Sequence, residues 1–189
     1  MKHAFKEWAV ICRALAEGRQ ALLLRKGGIA ENAGEFQLEH VRFWLYPTYT
    51  HQQRGGIRPE ALPLLEQVEA DKPPAGTIRF SHFAEVTGVY LINDLVRALL
   101  LAHLHLWSDE TVRKRFEYRE PGLFVMPVRV YRAATAHDVP ELPAYQGCHS
   151  WVDLDRDLST DGAVPVLADA AMEDLHRSLD LLLNPVAMA

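Results

Sequence analysis

The chain has 189 residues, 49% of them hydrophobic, which suits one domain with a real core and excludes a disordered chain. A net charge of −5 and a pI of about 6.0 exclude a globally basic nucleic-acid coat, so polyanion binding has to come from a local patch. The two cysteines, Cys12 and Cys148, give neither a disulfide framework nor a metal spacing and point to a reducing compartment.

The opening "MKHAFKEWAVICRALAEG" lacks the apolar core and small-residue cleavage site of a signal peptide. Phe5, Trp8, Ala9, Cys12 and Leu15 instead fall at helical spacing, and the pattern predicts an amphipathic helix over about 4–17, stopped by Gly18. Gln20 to Arg25 reads as a strand ended by Gly27-Gly28, and Asn32 to Gln37 as a loop. Val41 to Tyr49 reads as a second strand, with Pro47 marking an edge or bend. A polar connector, "QQRGGIRPE", leads into a short helix over Ala61 to Ala70. "DKPPAG", residues 71–76, is a break inside what is expected to be a single domain over 1–189, because the part before it is too small to hold a core alone.

Thr77 to Thr87 alternates like a strand. Asn93 is placed to cap a helix to about Leu106, apolar almost all round and so expected to be buried, with His103 packing on Trp107 one turn away. The same stretch, "LVRALLLAHLHLW", is interrupted by Arg97, His103 and His105 and is too short to span a bilayer, so a cytoplasmic chain without a membrane partner is expected. Ser108 caps the next helix, with Asp109 and Glu110 in its first turn. Leu123 to Arg132 is a strand, "HDVPELPAYQG" a loop, "CHSWVDL" a short strand, "DRDLSTDGAVP" a linker and Asp169 to Leu183 a closing helix. This mixture predicts an α+β fold: a mixed or mostly antiparallel sheet, in the form of a small barrel, packed with about five helices.

Two strand ends draw attention. "LLLRKGGI" runs from an apolar strand into Arg25, Lys26, Gly27 and Gly28. Glycine backbone can approach an anion closely and arginine can grip a phosphate with two bonds, although the spacing is neither a P-loop nor a dinucleotide fingerprint. The bland alternative is a strand exit into a turn. "EHVRFWLYPTYTHQ" offers Glu39 and His40, then Tyr46, Thr48, His51 and Gln52. A histidine beside a carboxylate can serve as general base or metal ligand, though most single histidines only form hydrogen bonds. The two segments are expected on adjacent strands with their polar ends on one side.

Other groups carry less. His103 and His105 are two apart and cannot share a helix face, so they are no metal pair. Arg113, Lys114, Arg115 and Arg119, followed by Arg129 and Arg132 with Tyr118 and Tyr131, form either a solvated face balanced by Glu110, Glu117 and Glu120 or a surface for a nucleic-acid backbone. Cys148 and His149 point to opposite sides of a strand and are not a nucleophile pair. No restriction-nuclease, hydrolase or zincin motif stands out, and no cofactor or resident metal is expected.

Taken together, "FKEWAVICRAL", "LLLRKGGI", "FQLEHVRFWLYPTYTHQ", "LHLWSDETVRKRF", "VMPVRVYR" and "YQGCHSWVDL" resemble the bacterial family known as domain of unknown function 1802, from about Phe5 to the final helix. The chain departs from that family's pattern at His149, where the family has a lysine. The family has no established activity. Some members are associated with an Mrr-like endonuclease domain, which implies a place in restriction–modification and an endonuclease partner.

The resulting expectation is a non-catalytic module for nucleic acid or another phosphate-bearing ligand. Arg25, Lys26, Gly27 and Gly28 would form its anion site, His40, Tyr46, Thr48, His51 and Gln52 its pocket, and Arg115, Arg129 and Tyr131 an extended surface. The alternatives are a metal-assisted hydrolase or nuclease using Glu39, His40 and His51, and a structural subunit of a restriction complex.

Overall fold

A computed structural model describes residues 1–26, 31–32, 35–36 and 38–183. Its first element is a strand, β1 (His3–Trp8), and not the start of a helix. β1 lies between β5 (Arg42–Thr48), with which it runs parallel, and β9 (Trp151–Asp153), with which it runs antiparallel. Ala4 and Phe5 are buried on opposite faces of it. Backbone pairing on both sides and burial on both faces override the helical spacing of the sequence. The predicted helix survives only as α1 (Ala9–Ala16), which buries Ala9, Val10, Ile11, Cys12, Ala14 and Leu15.

β2 (Leu22–Arg25) follows, then a two-residue ladder, β3 (Glu31–Asn32) with β4 (Glu35–Phe36). After β5 the chain forms α2 (Leu62–Ala70), which opens with Pro63 in its first turn, where the missing N–H costs nothing. β6 (Thr77–Val86) and β7 (Tyr90–Ile92) lead to α3 (Leu95–Leu100) and α4 (Asp109–Glu117). β8 (Leu123–Pro140) is far longer than the strand predicted, continuing through residues expected in a loop. β10 (Val164–Pro165) and α5 (Asp169–Leu182) complete the described chain.

The sheet is mixed and curled into a half-barrel, with strand order β10-β8-β6-β5-β1-β9 and with β2 and β7 both pairing the first part of β8. β6 and β8 slip register between Phe80 and His82, a bulge that bends the pair. With α1 to α5 among the described residues, the fold is α+β. None of these helices is long and apolar enough to cross a membrane.

The sheet is buried on both sides. Phe5, Phe43 and Leu45 face one core with α1, α5 and β8, whereas Ala4, Trp44 and Tyr46 face a second core with Phe80, Phe83, Tyr145 and Val152. That is why "FWLY" is a continuous apolar run and not an alternating one. Two further expectations need correction. Asp94, not Asn93, caps α3, which ends at Leu100 before a 3-10 turn over Leu101–Leu104. It is also not buried all round, since Val96 is 65% and Leu100 53% exposed. His103 meets the Leu100 carbonyl at the surface, while Trp107 packs on Trp8 with ring centroids 4.7 Å apart. The shortened helix breaks the one-turn relation that the sequence implied.

Candidate functional site

The C-terminal ends of the parallel strands β1 and β5 open into a cleft of about 970 Å³. Register pairs Lys6 with Tyr46, Glu7 with Pro47 and Trp8 with Thr48, so the cleft edge draws equally on both strands. Arg25 enters from the end of β2, Arg115 from α4, Lys72 to Arg79 from the break and the start of β6, and Glu141 with Tyr145 to Ser150 from the chain before β9.

Alternation along β1 sends Lys6 and Glu7 to opposite faces. Lys6 lies over the Tyr46 ring, 5.6 Å from its centroid, and its ammonium donates to the Gly147 carbonyl at 3.0 Å. Burial pulls the Lys6 pKa below its ordinary value, opposed by Glu141 and Cys148. The Tyr46 hydroxyl donates to Glu141 Oε1 at 3.4 Å. Burial first, then this carboxylate, raises the Tyr46 pKa well above the usual phenol value, so it stays a proton donor at neutral pH. Gly147 holds φ at +102°, a backbone state open to glycine and strained for other residues.

On the other face Glu7 is almost completely buried. Its Oε1 accepts from the Trp8 N–H, while Oε2 has no hydrogen bond among the described residues and lies 3.6 Å from Arg25 Nη1. Arg25 Nη2 donates to Ser150 Oγ, and its guanidinium covers the Phe5 ring 4.5 Å from the centroid. Arg115 donates to the Leu24 carbonyl at 2.9 Å and stacks 3.7 Å above the Trp107 ring. Burial pushes its pKa down to about 10, with Glu7 opposing and Arg25 adding to the fall, and it remains charged at neutral pH. A carboxylate and two guanidinium groups thus form the floor, and the second guanidinium leaves positive charge that Glu7 does not neutralise.

The cleft brings together Arg25, Tyr46, Thr48, His51 and Arg115 from the sequence-predicted set. Thr48 is turned inward, donating from Oγ1 to the Glu7 carbonyl. The expected adjacency of strands is not what unites them, because β2 pairs with β8 and β5 with β1 and β6. Curling of the sheet brings the ends of β2 and β5 to one cleft instead.

The remaining predicted residues lie elsewhere. Lys26 donates to the carbonyls of Phe116, Glu120 and Gly122 and so caps the end of α4. Gln52 accepts from the Val10 N–H and donates to Glu69. His40 precedes β5 while His51 follows it, and a seven-residue strand separates them by roughly 20 Å. Glu39, His40 and His51 therefore do not form one metal or acid–base centre. Arg129 pairs with Asp169 at 2.5 Å, and Tyr131 stacks on Phe83 at 5.0 Å, neither of them lining the cleft. Gly27 and Gly28 lie outside the described residues.

Sequence reasoning missed Lys6, Glu7, Lys72, Arg79, Glu141 and Ser150. The strand alternation of "AFKEW" was the available signal for the first two, masked by the helical spacing that continues into α1.

A family model, "Domain of unknown function (DUF1802)", matches residues 4–178. The chain belongs to this family. No curated protein matches it. Among solved structures, the DUF1802 chain is similar to ASCH from Zymomonas mobilis, at 14% identity over 98% of this chain and 97% of that one, with a TM-score of 0.45. It is also similar to a serine-to-alanine mutant of that ASCH protein, at 11% identity over 93% and 94% of the two chains, with a TM-score of 0.48. A tyrosine-to-phenylalanine mutant matches at 14% identity over 96% and 98%, with a TM-score of 0.44.

Proposed function

We propose that the cleft binds a nucleic acid or another phosphate-bearing ligand, and that this DUF1802 chain is a binding module and not an enzyme. One observation carries the reading: in a chain of net charge −5, Lys6, Arg25, Lys72, Arg79 and Arg115 line one cleft, against Glu7 and Glu141 alone among the described residues. Local positive potential of this kind attracts phosphate whatever the overall charge. Trp8 and Tyr49, both partly exposed on the same walls, favour a ligand that also carries rings, as stacked bases do. The volume of about 970 Å³ lies at the upper end of small-molecule pockets, so a nucleotide or a few residues of single strand fit it better than bare phosphate.

Fluorescence anisotropy with labelled single-stranded RNA, single-stranded DNA and duplex tests the reading. Salt-sensitive binding is expected, weakened at least about tenfold by Arg25→Gln, the loss of one charge-assisted contact. Absence of salt-sensitive binding to every one of these, and to nucleoside triphosphates, would sink it. A role beside a restriction endonuclease rests on the family resemblance alone, and co-purification with such an enzyme tests it.

A further inference from the structure

At the opposite end of β1 and β5 from the cleft, three segments distant in sequence bring donor atoms together. His3 and Asp153 are register partners across the antiparallel β1–β9 pair, and His3 Nδ1 lies 2.6 Å from Asp153 Oδ1. His40, from the turn before β5, stacks on His3 with ring centroids 3.6 Å apart and planes 15° from parallel. The edge-on ring of Trp151, 5.1 Å away, holds His40 in place. One ligand atom from each of His3, His40 and Asp153 lies within 4.8 Å of the others.

We propose that His3, His40 and Asp153 bind a divalent transition metal of the zinc class, which staples β1, the turn before β5 and β9 together. Two imidazoles and a carboxylate make a donor set suited to zinc, cobalt or nickel, and leave a fourth position for water. Ligands of a tetrahedral ion with bonds of about 2.1 Å stand about 3.4 Å apart, and atoms that already lie within 4.8 Å of one another reach that spacing by shifts of about 1 Å or less. Rotation of side chains that are partly exposed supplies that movement. Glu39, with Oε1 3.9 Å from His40 Nε2, adds negative charge that offsets Lys2 nearby. His40 adds a third donor, from a segment distant in sequence, to the His3–Asp153 pair, and a tilt of the two stacked rings turns their in-plane lone pairs toward one ion. The proposal is independent of the cleft, whose residues enter β1 only from Lys6 onward.

The test uses the full chain after dialysis against a chelator. Zinc titration by calorimetry is expected to saturate at one ion per chain, and cobalt to develop the visible absorption of a tetrahedral site. His40→Gln and Asp153→Asn should each weaken zinc more than about tenfold and abolish the rise in melting temperature that zinc gives the parent protein. Two results overturn the proposal: no stoichiometric binding up to about 1 mM metal, or binding that both substitutions leave unchanged, which would put the metal on other histidines. If a variant fails to fold, nuclear magnetic resonance of the parent protein decides: zinc must shift the ring signals of His3 and His40, and leaving them unmoved while the ion binds overturns the proposal.

Discussion

Lys72→Gln is the sharpest probe of the cleft, because this residue is exposed and, among the described residues, its ammonium meets the Tyr49 ring alone, 4.8 Å from the centroid. Of the five cations that line the cleft among the described residues, Arg115 is committed to the Leu24 carbonyl and the Trp107 ring, and Arg79 to Asp138 through two bonds of 2.7 Å. Lys6 and Arg25 keep donors beyond their bonds to Gly147 and Ser150, and with Lys72 they are the three taken to meet phosphates. Each phosphate neutralised on a single strand adds roughly −0.7 to the slope of log affinity against log salt, so three give about −2.1, or a roughly 20-fold loss of affinity between 50 and 200 mM. Lys72→Gln should reduce the slope to about −1.4 and the loss to roughly sevenfold, with stability changed by less than about 0.5 kcal/mol. Anisotropy titrations at four salt concentrations, with melting curves alongside, measure both quantities. A slope near zero in the parent chain, or one that Lys72→Gln leaves unchanged, would refute the assignment of the cleft.

Lys26→Ala should behave oppositely, costing about 1–2 kcal/mol in urea denaturation because the carbonyls of Phe116, Glu120 and Gly122 lose their shared ammonium donor, while the salt slope stays as in the parent. Gly147→Ala should cost about 1–2 kcal/mol through its positive φ and loosen the Lys6–Ser150 edge of the cleft, seen as faster amide exchange at Lys6, whose N–H donates to the Ser150 carbonyl at 2.8 Å. Acid should destabilise the fold through His105, which is 3% exposed, has no partner at either ring nitrogen among the described residues, and has a pKa pushed down to about 4, chiefly by burial. An unfolded chain takes up this proton near pH 6.5 and the folded chain only near 4. The stability is therefore complete above about pH 6.5 and falls by at most roughly 3 kcal/mol as pH drops to 4. His105→Leu should flatten this dependence between pH 7 and 4.5, and a slope as steep as the parent's would exclude His105 as its source.

Local signals in the sequence found much of the fold. Ser108 announces α4 by capping it, "DKPPAG" breaks the chain before β6, and the apolar stripe of α5 is plain in Met172, Leu175 and Leu179. What was not legible depends on partners far away. β1 is a strand because β5 and β9 flank it, and no window around Phe5 contains either of them. The site shows the same division. Arg25, Tyr46 and His51 stand at strand ends that punctuation reveals, whereas Lys6, Glu141 and Ser150 join them only when the sheet curls. Lys26, the neighbour of Arg25, has the same local context and the opposite fate, because the carbonyls that bind it lie about 90 residues away in sequence.

The pairing of β1 with β9 also sets a timetable for synthesis. Residues 3–5 sit between strands whose last members are residues 151–153, so an early-made segment stays half-paired on the ribosome until nearly all of the described chain has emerged. Lys6 and Ser150 meet across that same closure. A nascent chain stalled before Trp151 would thus present an unfinished sheet edge at β1 and no cleft, and during that interval a chaperone, not a ligand, would be its natural companion.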